Sequence, residues 1–535
     1  MSAACAILIA FVLTACTLTA CTGDGAQLVA PPTPSASVRQ ATFVYLSGRQ
    51  VITDWDPATA YDDEIIALQN IYETLTFYNP VTRKASPRLA ISWNASRDGR
   101  TWTFRLRPNV RFHTGRPLDA TAVKKSIERT RSLDDGAAYI WDAVQEIHVE
   151  DPTTVVFSLK YAAPLDLIAS SGYAAYIYDT AAAGSGDLKR WFAAGRDAGS
   201  GPYTIARWNK GKANELTLRA FDGYWGGWDG PSYRNVVYRV EPDRNQAWRL
   251  LLRGEANFVP RLTSRLYQLA ETTPGVRSQR VPSFQNLLML FNTGSGPLRD
   301  IRLRRAVQAA IDYDGVIRAL HGAGEPASGL VPEGLVGHTP DQRPRQNLAR
   351  ARRLLAAAGY GPGRRPLRLT LTYLRNDNDQ RLLVQVLART LRELNVTLDA
   401  RAMEWSAQLA RGRSKNQDRR QDIFVMYWRP DYADAYSWYR NLFHSDDPSW
   451  LNMSYLKDGT TDEQIEALPN IIVTDRVAAQ RAYAELQTRL VDELAAVAVP
   501  WVVNYQRAYL GGVRGYTDNP AYPNVVFVHN LTPRA

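Results

Sequence analysis

The chain has 535 residues, 45% of them hydrophobic and 22% charged, with a formal net charge of +11. That length is too great for one ordinary core, so a soluble globular body of two or three domains is expected. All three cysteines, Cys5, Cys16 and Cys21, lie near the start, which excludes structural disulfides, thiolate metal sites and a cysteine nucleophile from the rest of the chain.

Residues 1–21 are apolar or small, carry no charge, and contain the tandem repeat Leu13-Thr14-Ala15-Cys16 and Leu18-Thr19-Ala20-Cys21. Each looks like a lipobox, in which small residues precede a Cys that is lipidated before cleavage. Cys21 is the expected lipidation site, with Cys16 as the alternative, because cleavage at Cys21 leaves the longer apolar segment. The competing reading is an uncleaved signal or a single transmembrane helix, since about 20 apolar residues can span a bilayer. A secretory signal begins with Lys or Arg, and none precedes Cys21, so the natural start is expected upstream of Met1. Residues 22–39, with Pro31-Pro32, Pro34 and several Ser, Gly and Ala, read as a flexible tether.

From about residue 40 to 285 the pattern is rich in strands: Thr42–Leu46, Trp102–Arg107, Thr154–Leu159, Tyr203–Trp208, Leu216–Phe221 and Val236–Val240. Trp102, Phe104 and Leu106 alternate with Thr103, Arg105 and Arg107, the period of a strand with one buried face. The turn Thr114-Gly115-Arg116-Pro117 follows, and then Asp119 or Thr121 can cap a helix that carries Val123 and Ile127. This stretch contains no catalytic group and reads as scaffold.

From about residue 287 strands alternate with helices. Strand Leu287–Phe291 leads to helix Ile301–Leu320, and helix Leu348–Ala358 leads to strand Leu367–Tyr373. Helix Gln380–Leu394, strands Val396–Arg401 and Asp422–Tyr427, and helix Asp475–Leu494 follow. This alternation points to an open α/β sheet. The chain leaves through Val499–Tyr505 into a tail of little periodicity.

Strand Asp422–Tyr427 ends in Trp428-Arg429-Pro430-Asp431-Tyr432-Ala433-Asp434, which puts two carboxylates and several flat groups at a strand's C-terminal edge, where open sheets bind ligands. Asp431 could instead cap a helix at Ala433–Leu442. Arg375 follows strand Leu367–Tyr373 and is suited to a bidentate grip on a carboxylate, or is merely solvated. The 14 Trp and 27 Tyr exceed what cores need; Trp191, Trp225, Trp228 and Trp438 could line a cleft, but packing is the safer assignment. The six His are far apart with no i,i+4 pair, so no preformed metal site is read, and no cofactor. Gly322-Ala323-Gly324 follows a helix instead of opening one and is discarded as a dinucleotide fingerprint. No nucleophile elbow or Walker motif appears. Only nine of the 64 basic residues are Lys and the Arg are scattered, so no nucleic-acid partner is expected.

The run Pro87, Leu89-Ala90, Ser92-Trp93, Asp98-Gly99, Thr103-Phe104, Leu106-Arg107, Val110, Phe112, Gly115, Pro117-Leu118 and Ala120 resembles, in order and spacing, the signature of the peptide-binding lipoproteins of bacterial ABC importers. These form family 5 of the extracytoplasmic solute-binding proteins, which includes oligopeptide, dipeptide and nickel binders. Further blocks follow in the family's order: Ile71-Tyr72-Glu73-Thr74-Leu75, Gly199-Ser200-Gly201-Pro202-Tyr203, Tyr224-Trp225-Gly226-Gly227, Phe291-Asn292-Thr293 and Leu354 to Tyr360. The resemblance implies an α/β, two-lobed periplasmic-binding-protein-like fold of type II, of the large peptide-binding class, with a hinge crossed twice, near Pro282–Asn292 and near Val499–Arg507. Lobe I is expected at 40–285 with an extra subdomain around 80–200, lobe II at 286–500, and a return to lobe I at 501–535.

The segment Trp428 to Asp434 resembles the family's "W-x-x-D-Y-x-D-P", whose first Asp pairs with a peptide's α-ammonium. That role falls on Asp431, with Trp428 as an aromatic wall and Tyr432 and Asp434 beside it; the chain departs at Ala435, where the family usually has Pro. Dipeptide binders of the family hold the carboxylate with an Arg that aligns to within one residue of Arg375. The implied protein is a monomeric lipoprotein anchored at the outer face of the cytoplasmic membrane. It catalyses nothing and delivers captured peptides, short ones if Arg375 serves, to an ABC permease with its ATPase subunits. Haem, nickel or an oligosaccharide as the ligand and a regulatory lipoprotein without transport are the alternatives, and an envelope hydrolase is disfavoured.

Overall fold

A computed structural model describes residues 42–48, 53–209, 215–340, 343–446 and 451–534. The lipobox cysteines and the tether lie outside the described residues. Strand β1 (Thr42–Ser47) opens the body, and helix α1 (Ile65–Ile71) is buried along its whole length. Strands β2 (Ala90–Ala95) and β3 (Thr101–Leu106), helix α2 (Ala120–Leu133), and strands β4 (Val144–Asp151) and β5 (Thr154–Leu159) build a separate four-stranded antiparallel sheet in the order β2-β3-β5-β4. As the alternation predicts, Trp102, Phe104 and Leu106 are buried. Phe104 meets Phe157 edge-on at 5.6 Å between ring centroids. Asp119 is the cap of α2, its carboxylate accepting from the Ala122 amide at 2.9 Å.

Further strands of this half are β6 (Tyr203–Asn209), β7 (Glu215–Ala220), β8 (Asn235–Val240) and β9 (Phe258–Val259), and Thr76–Asn79 pairs with Lys84–Pro87 in a small hairpin. Beyond them come β10 (Val276–Phe291), helices α3 (Ile301–Ala310), α4 (Tyr313–Ala319) and α5 (Leu348–Ala357), strand β11 (Leu367–Leu374), helix α6 (Asn378–Glu393), strands β12 (Val396–Met403) and β13 (Ile423–Trp428), helix α7 (Tyr436–Phe443) and strand β14 (Val497–Leu510). The fold is α/β and two-lobed, and the lobes share one sheet. Its strand order is β12-β11-β13-β10-β14-β9-β1-β8-β7-β6, with the short strand Gly324–Glu325 on β14.

The link between the two ends of this sheet is the antiparallel pair β10 and β14. β10 is far longer than the apolar run Leu287–Phe291 suggests, because its first half, Val276 to Ser283, is polar and pairs from Val276↔Leu510 to Pro282↔Asn504. The register then shifts between Pro282 and Asn286. A proline supplies no amide hydrogen, and a bulge is where a sheet tolerates one. The helix expected over Ile301–Leu320 is two helices: Ile311 is extended and the Asp312 side chain caps α4 at the Gly315 amide. After β14 the chain returns to the first half, where Asn519 donates to the Tyr78 carbonyl at 2.8 Å and Asn70 accepts from the Val528 amide at 3.0 Å.

Candidate functional site

The site begins with two ties in the first half. Asp56, 1% exposed, accepts from Arg129 of α2 at 2.8 Å and folds the segment Asp54 to Ala60 around itself, with its carbonyl taking the amides of Thr59 and Ala60. α2 ends at Asp134, which adopts a left-handed conformation, and the chain turns through Gly136. Gly136 has φ +60°, and a Cβ there would stand 2.4 Å from the Thr59 carbonyl oxygen. Only glycine tolerates both the dihedral and the approach. These two ties bring Tyr61 beside Tyr139, with 2.9 Å between their hydroxyls.

From the second half, β13 is buried among apolar side chains and ends at Trp428. The next residues turn sharply, with the Asp434 amide bonded to the Tyr432 carbonyl. The Asp434 carboxylate accepts from the Tyr483 hydroxyl at 2.5 Å and from the Tyr436 amide at 2.8 Å, where it serves the start of α7. The N-cap of α7 is Ala435, with no side-chain cap, and the Asp434 carboxylate is held within the turn, while that of Asp431 meets other partners.

Asp431 is 4% exposed. Its Oδ1 accepts from the Tyr61 hydroxyl at 2.9 Å, its Oδ2 from the Asn441 amide at 3.4 Å, and its carbonyl from Ser171 Oγ at 2.7 Å. Burial pushes its carboxyl up to about 6, against the hydrogen bonds from Tyr139 and Tyr61 and the nearby charge of Arg429, which pull it down. Arg429 in turn lies 3.9 Å from Asp62 and over the Tyr173 ring at 5.4 Å.

Above Asp431 opens a cavity of about 590 Å³, a size suited to a small organic guest. Tyr61, Tyr139, Tyr161 and Ile168 line it from the first half, and Trp405, Asp431, Tyr432 and Asn441 from the second. Tyr61, Tyr161 and Trp405 are 38%, 40% and 40% exposed, and among the described residues they are the exposed large aromatics. Exposed aromatic surface gathered in one cavity marks a place for a guest.

Of the residues singled out from sequence, Asp431 and Tyr432 line this cavity. Trp428 is packed beneath it, with its indole N–H 3.4 Å from Ser437 Oγ, and Asp434 is buried in the turn. Arg375 is not brought to the cavity: its side chain is 61% exposed and lies 3.6 Å from Glu404. Strand β11 ends at Leu374, so Arg375 projects from the sheet edge into solvent, and the cations that do line the cavity are Arg413 and Arg440. Trp438 is fully buried, donating to Asn286 at 3.1 Å, and the indole N–H groups of Trp225 and Trp228 are bonded to Glu73 and the Phe221 carbonyl, all away from the cavity. Among the lining residues that sequence reasoning missed are Tyr61, Tyr139, Tyr161, Trp405, Arg413 and Arg440.

The family model described as bacterial extracellular solute-binding proteins, family 5 Middle, matches residues 84–450. The chain is 27% identical over 487 residues to the "Probable D,D-dipeptide-binding periplasmic protein DdpA" of Escherichia coli (strain K12), covering 89% of this chain and 92% of that protein. Among solved structures, the ABC transporter substrate-binding protein CtaP of Listeria monocytogenes superposes with a TM-score of 0.80 at 22% identity, over 92% of this chain and 99% of that one. The periplasmic binding protein DppA of Helicobacter pylori, in complex with the peptide STSA, superposes with a TM-score of 0.76 at 21% identity, over 92% and 98%. The chain therefore belongs to the bacterial extracellular solute-binding proteins of family 5, receptors that act outside the cytoplasm and catalyse no reaction.

Proposed function

We propose that this protein is the receptor of an ABC importer that captures peptides in the cavity above Asp431 and hands them to the permease. The observation that carries this reading is a buried carboxylate at the foot of a cavity whose walls come from both lobes. A buried anion is costly unless a cation answers it, and a peptide's α-ammonium is such a cation. The tyrosine hydroxyls at Asp431 hold the carboxylate in place for that exchange. Tyr61, Tyr161 and Trp405 present flat surfaces that accept varied side chains, and the carboxylate end of the guest falls to Arg413 or Arg440 instead of Arg375.

Lobe limits at 40–285 and 286–500, with the tail from 501 returning to lobe I, fit this reading, and the register shift at Pro282–Asn286 is the natural hinge. A guest that touches both lobes only when they are shut stabilises closure by that difference in affinity. Lipid anchoring through Cys21 would keep the receptor at the membrane, near the permease and its ATPase subunits. DdpA and DppA, named for D,D-dipeptides and solved with a peptide respectively, support the ligand class. A thermal-shift screen of dipeptides to pentapeptides, haem and nickel tests it. A peptide at 100 times its Kd should add about 2.7 kcal/mol of apparent stability, whereas stabilisation by haem or nickel alone would overturn the peptide reading.

A further inference from the structure

The loop that follows β13 is gripped from the first half of the chain. Ser171 Oγ donates to the Asp431 carbonyl at 2.7 Å, and the same oxygen accepts from the Tyr173 amide at 3.0 Å. Ser171 is 1% exposed, so its bond to the loop is shielded from competing water. Arg429 reaches the other way, its guanidinium 5.4 Å from the centre of the Tyr173 ring and 3.9 Å from Asp62. Pro430 stands between the two grips, and its ring fixes a backbone dihedral, so a pull on Arg429 is passed on to Asp431. A second arginine crosses the same boundary in the opposite sense: Arg261, just after β9, pairs with Asp379 of α6 at 2.8 Å. All six of these residues, Asp62, Ser171, Tyr173, Arg261, Asp379 and Arg429, lie outside the lining of the cavity.

Resting on the two-lobed receptor read above, we propose that Ser171 and Arg429 clasp the loop Arg429–Asp431 across the lobe boundary and so set how far the receptor is shut before a guest arrives. These groups meet their partners only when the halves come together, so they favour the shut form by their own bonds, independently of what the guest contributes. A receptor that is shut for a larger fraction of the time binds more tightly in proportion to that fraction. The clasp therefore acts on every guest alike, whereas the Asp431 carboxylate acts on an ammonium. Ser171 and Arg429 are positioning residues: they touch no guest and work through the loop that carries Asp431.

Small-angle X-ray scattering of the full chain, with and without Ala-Ala-Ala, tests this alongside calorimetry of that peptide and its N-acetylated form. Without peptide, the Ser171→Ala, Arg429→Met variant should have a larger radius of gyration than the natural chain, and it should return to the natural value at saturating peptide. It should lose about ten-fold in affinity for the free and the acetylated peptide alike. Asp62→Asn alters a carboxylate that is 55% exposed and is the milder change; it should move both readings in the same direction. Equal radii for the natural and double-variant chains without peptide overturn the clasp. So does a loss of affinity confined to the free peptide, which would make Ser171 and Arg429 part of the ammonium site. Should the double variant not fold, an unchanged radius and affinity in Asp62→Asn overturn it equally. Failure of Ala-Ala-Ala to bind the natural chain overturns the peptide reading for this guest only, because the radii measured without peptide decide the clasp.

Discussion

Two stretches of this molecule are both buried, and for opposite reasons. Strands β2, β3 and β5 with helix α2 bury Trp102, Phe104, Val123, Ile127 and Phe157, apolar groups that gain free energy by leaving water. The segment from Arg429 to His444 buries Asp431, Asp434, Ser437 and His444, groups that lose it unless partners replace the water. The first stretch bears the family signature and holds the fold together. The second also buries Trp438, Leu442 and Phe443, which offset part of that cost, and it carries the carboxylate proposed to meet a cation.

The comparison is broken most forcefully at Phe104. Phe104→Ala should cost about 3–5 kcal/mol in chemical denaturation, with the peptide affinity of the folded fraction unchanged; a selective loss of affinity at full stability would mean that the scaffold is part of the site.

Asp431 makes the opposite case. Its carboxyl stands at about 6 when buried, against an ordinary 3.8 in the unfolded chain. Between those values the unfolded chain has released a proton that the folded chain retains, so the empty protein should lose up to about 3 kcal/mol as pH rises from 4 to 7. Asp431→Asn should remove most of that slope and raise the melting temperature at pH 7. Affinity should run the other way, rising through pH 6 as the carboxylate forms. A melting curve of the variant with the natural slope would show that Asp431 is not the costly group.

Gly136→Ala should have a smaller effect, about 1–2 kcal/mol, from its left-handed dihedral and the clash with Thr59. It should also weaken peptide binding several-fold, by moving Tyr139. Arg375→Ala should be the mildest, within about 0.5 kcal/mol in stability, with free and amidated peptides affected alike.

What could be read from the sequence follows from the same contrast. Thr154–Leu159 and Leu348–Ala357 were legible because their periodicity reports burial directly. β4 and the first half of β10 escaped because their outward faces are polar, and β2 because only Ala90 in it is fully buried. The break at Ile311-Asp312 was hidden because apolar spacing continued across it, although Asp312 followed by Gly315 was a capping signal. Asp431 is legible mainly through resemblance, since no local pattern distinguishes it from Asp434, three residues on in the same loop. Tyr61 and Tyr139 are out of reach: Tyr61 lies 370 residues from Asp431 in a loop, and Tyr139 lies in a 3-10 turn, Ala138–Trp141, too short to show a period.

The most direct test of the account is calorimetry of the natural chain and of Asp431→Asn against one bound peptide with a free amino terminus and its N-acetylated form. The natural chain should prefer the free form, and the variant should lose about 100-fold in affinity for it, the loss of one buried charge pair, while binding the acetylated form as before. Equal losses for both forms would contradict the claim that Asp431 receives the ammonium of the guest.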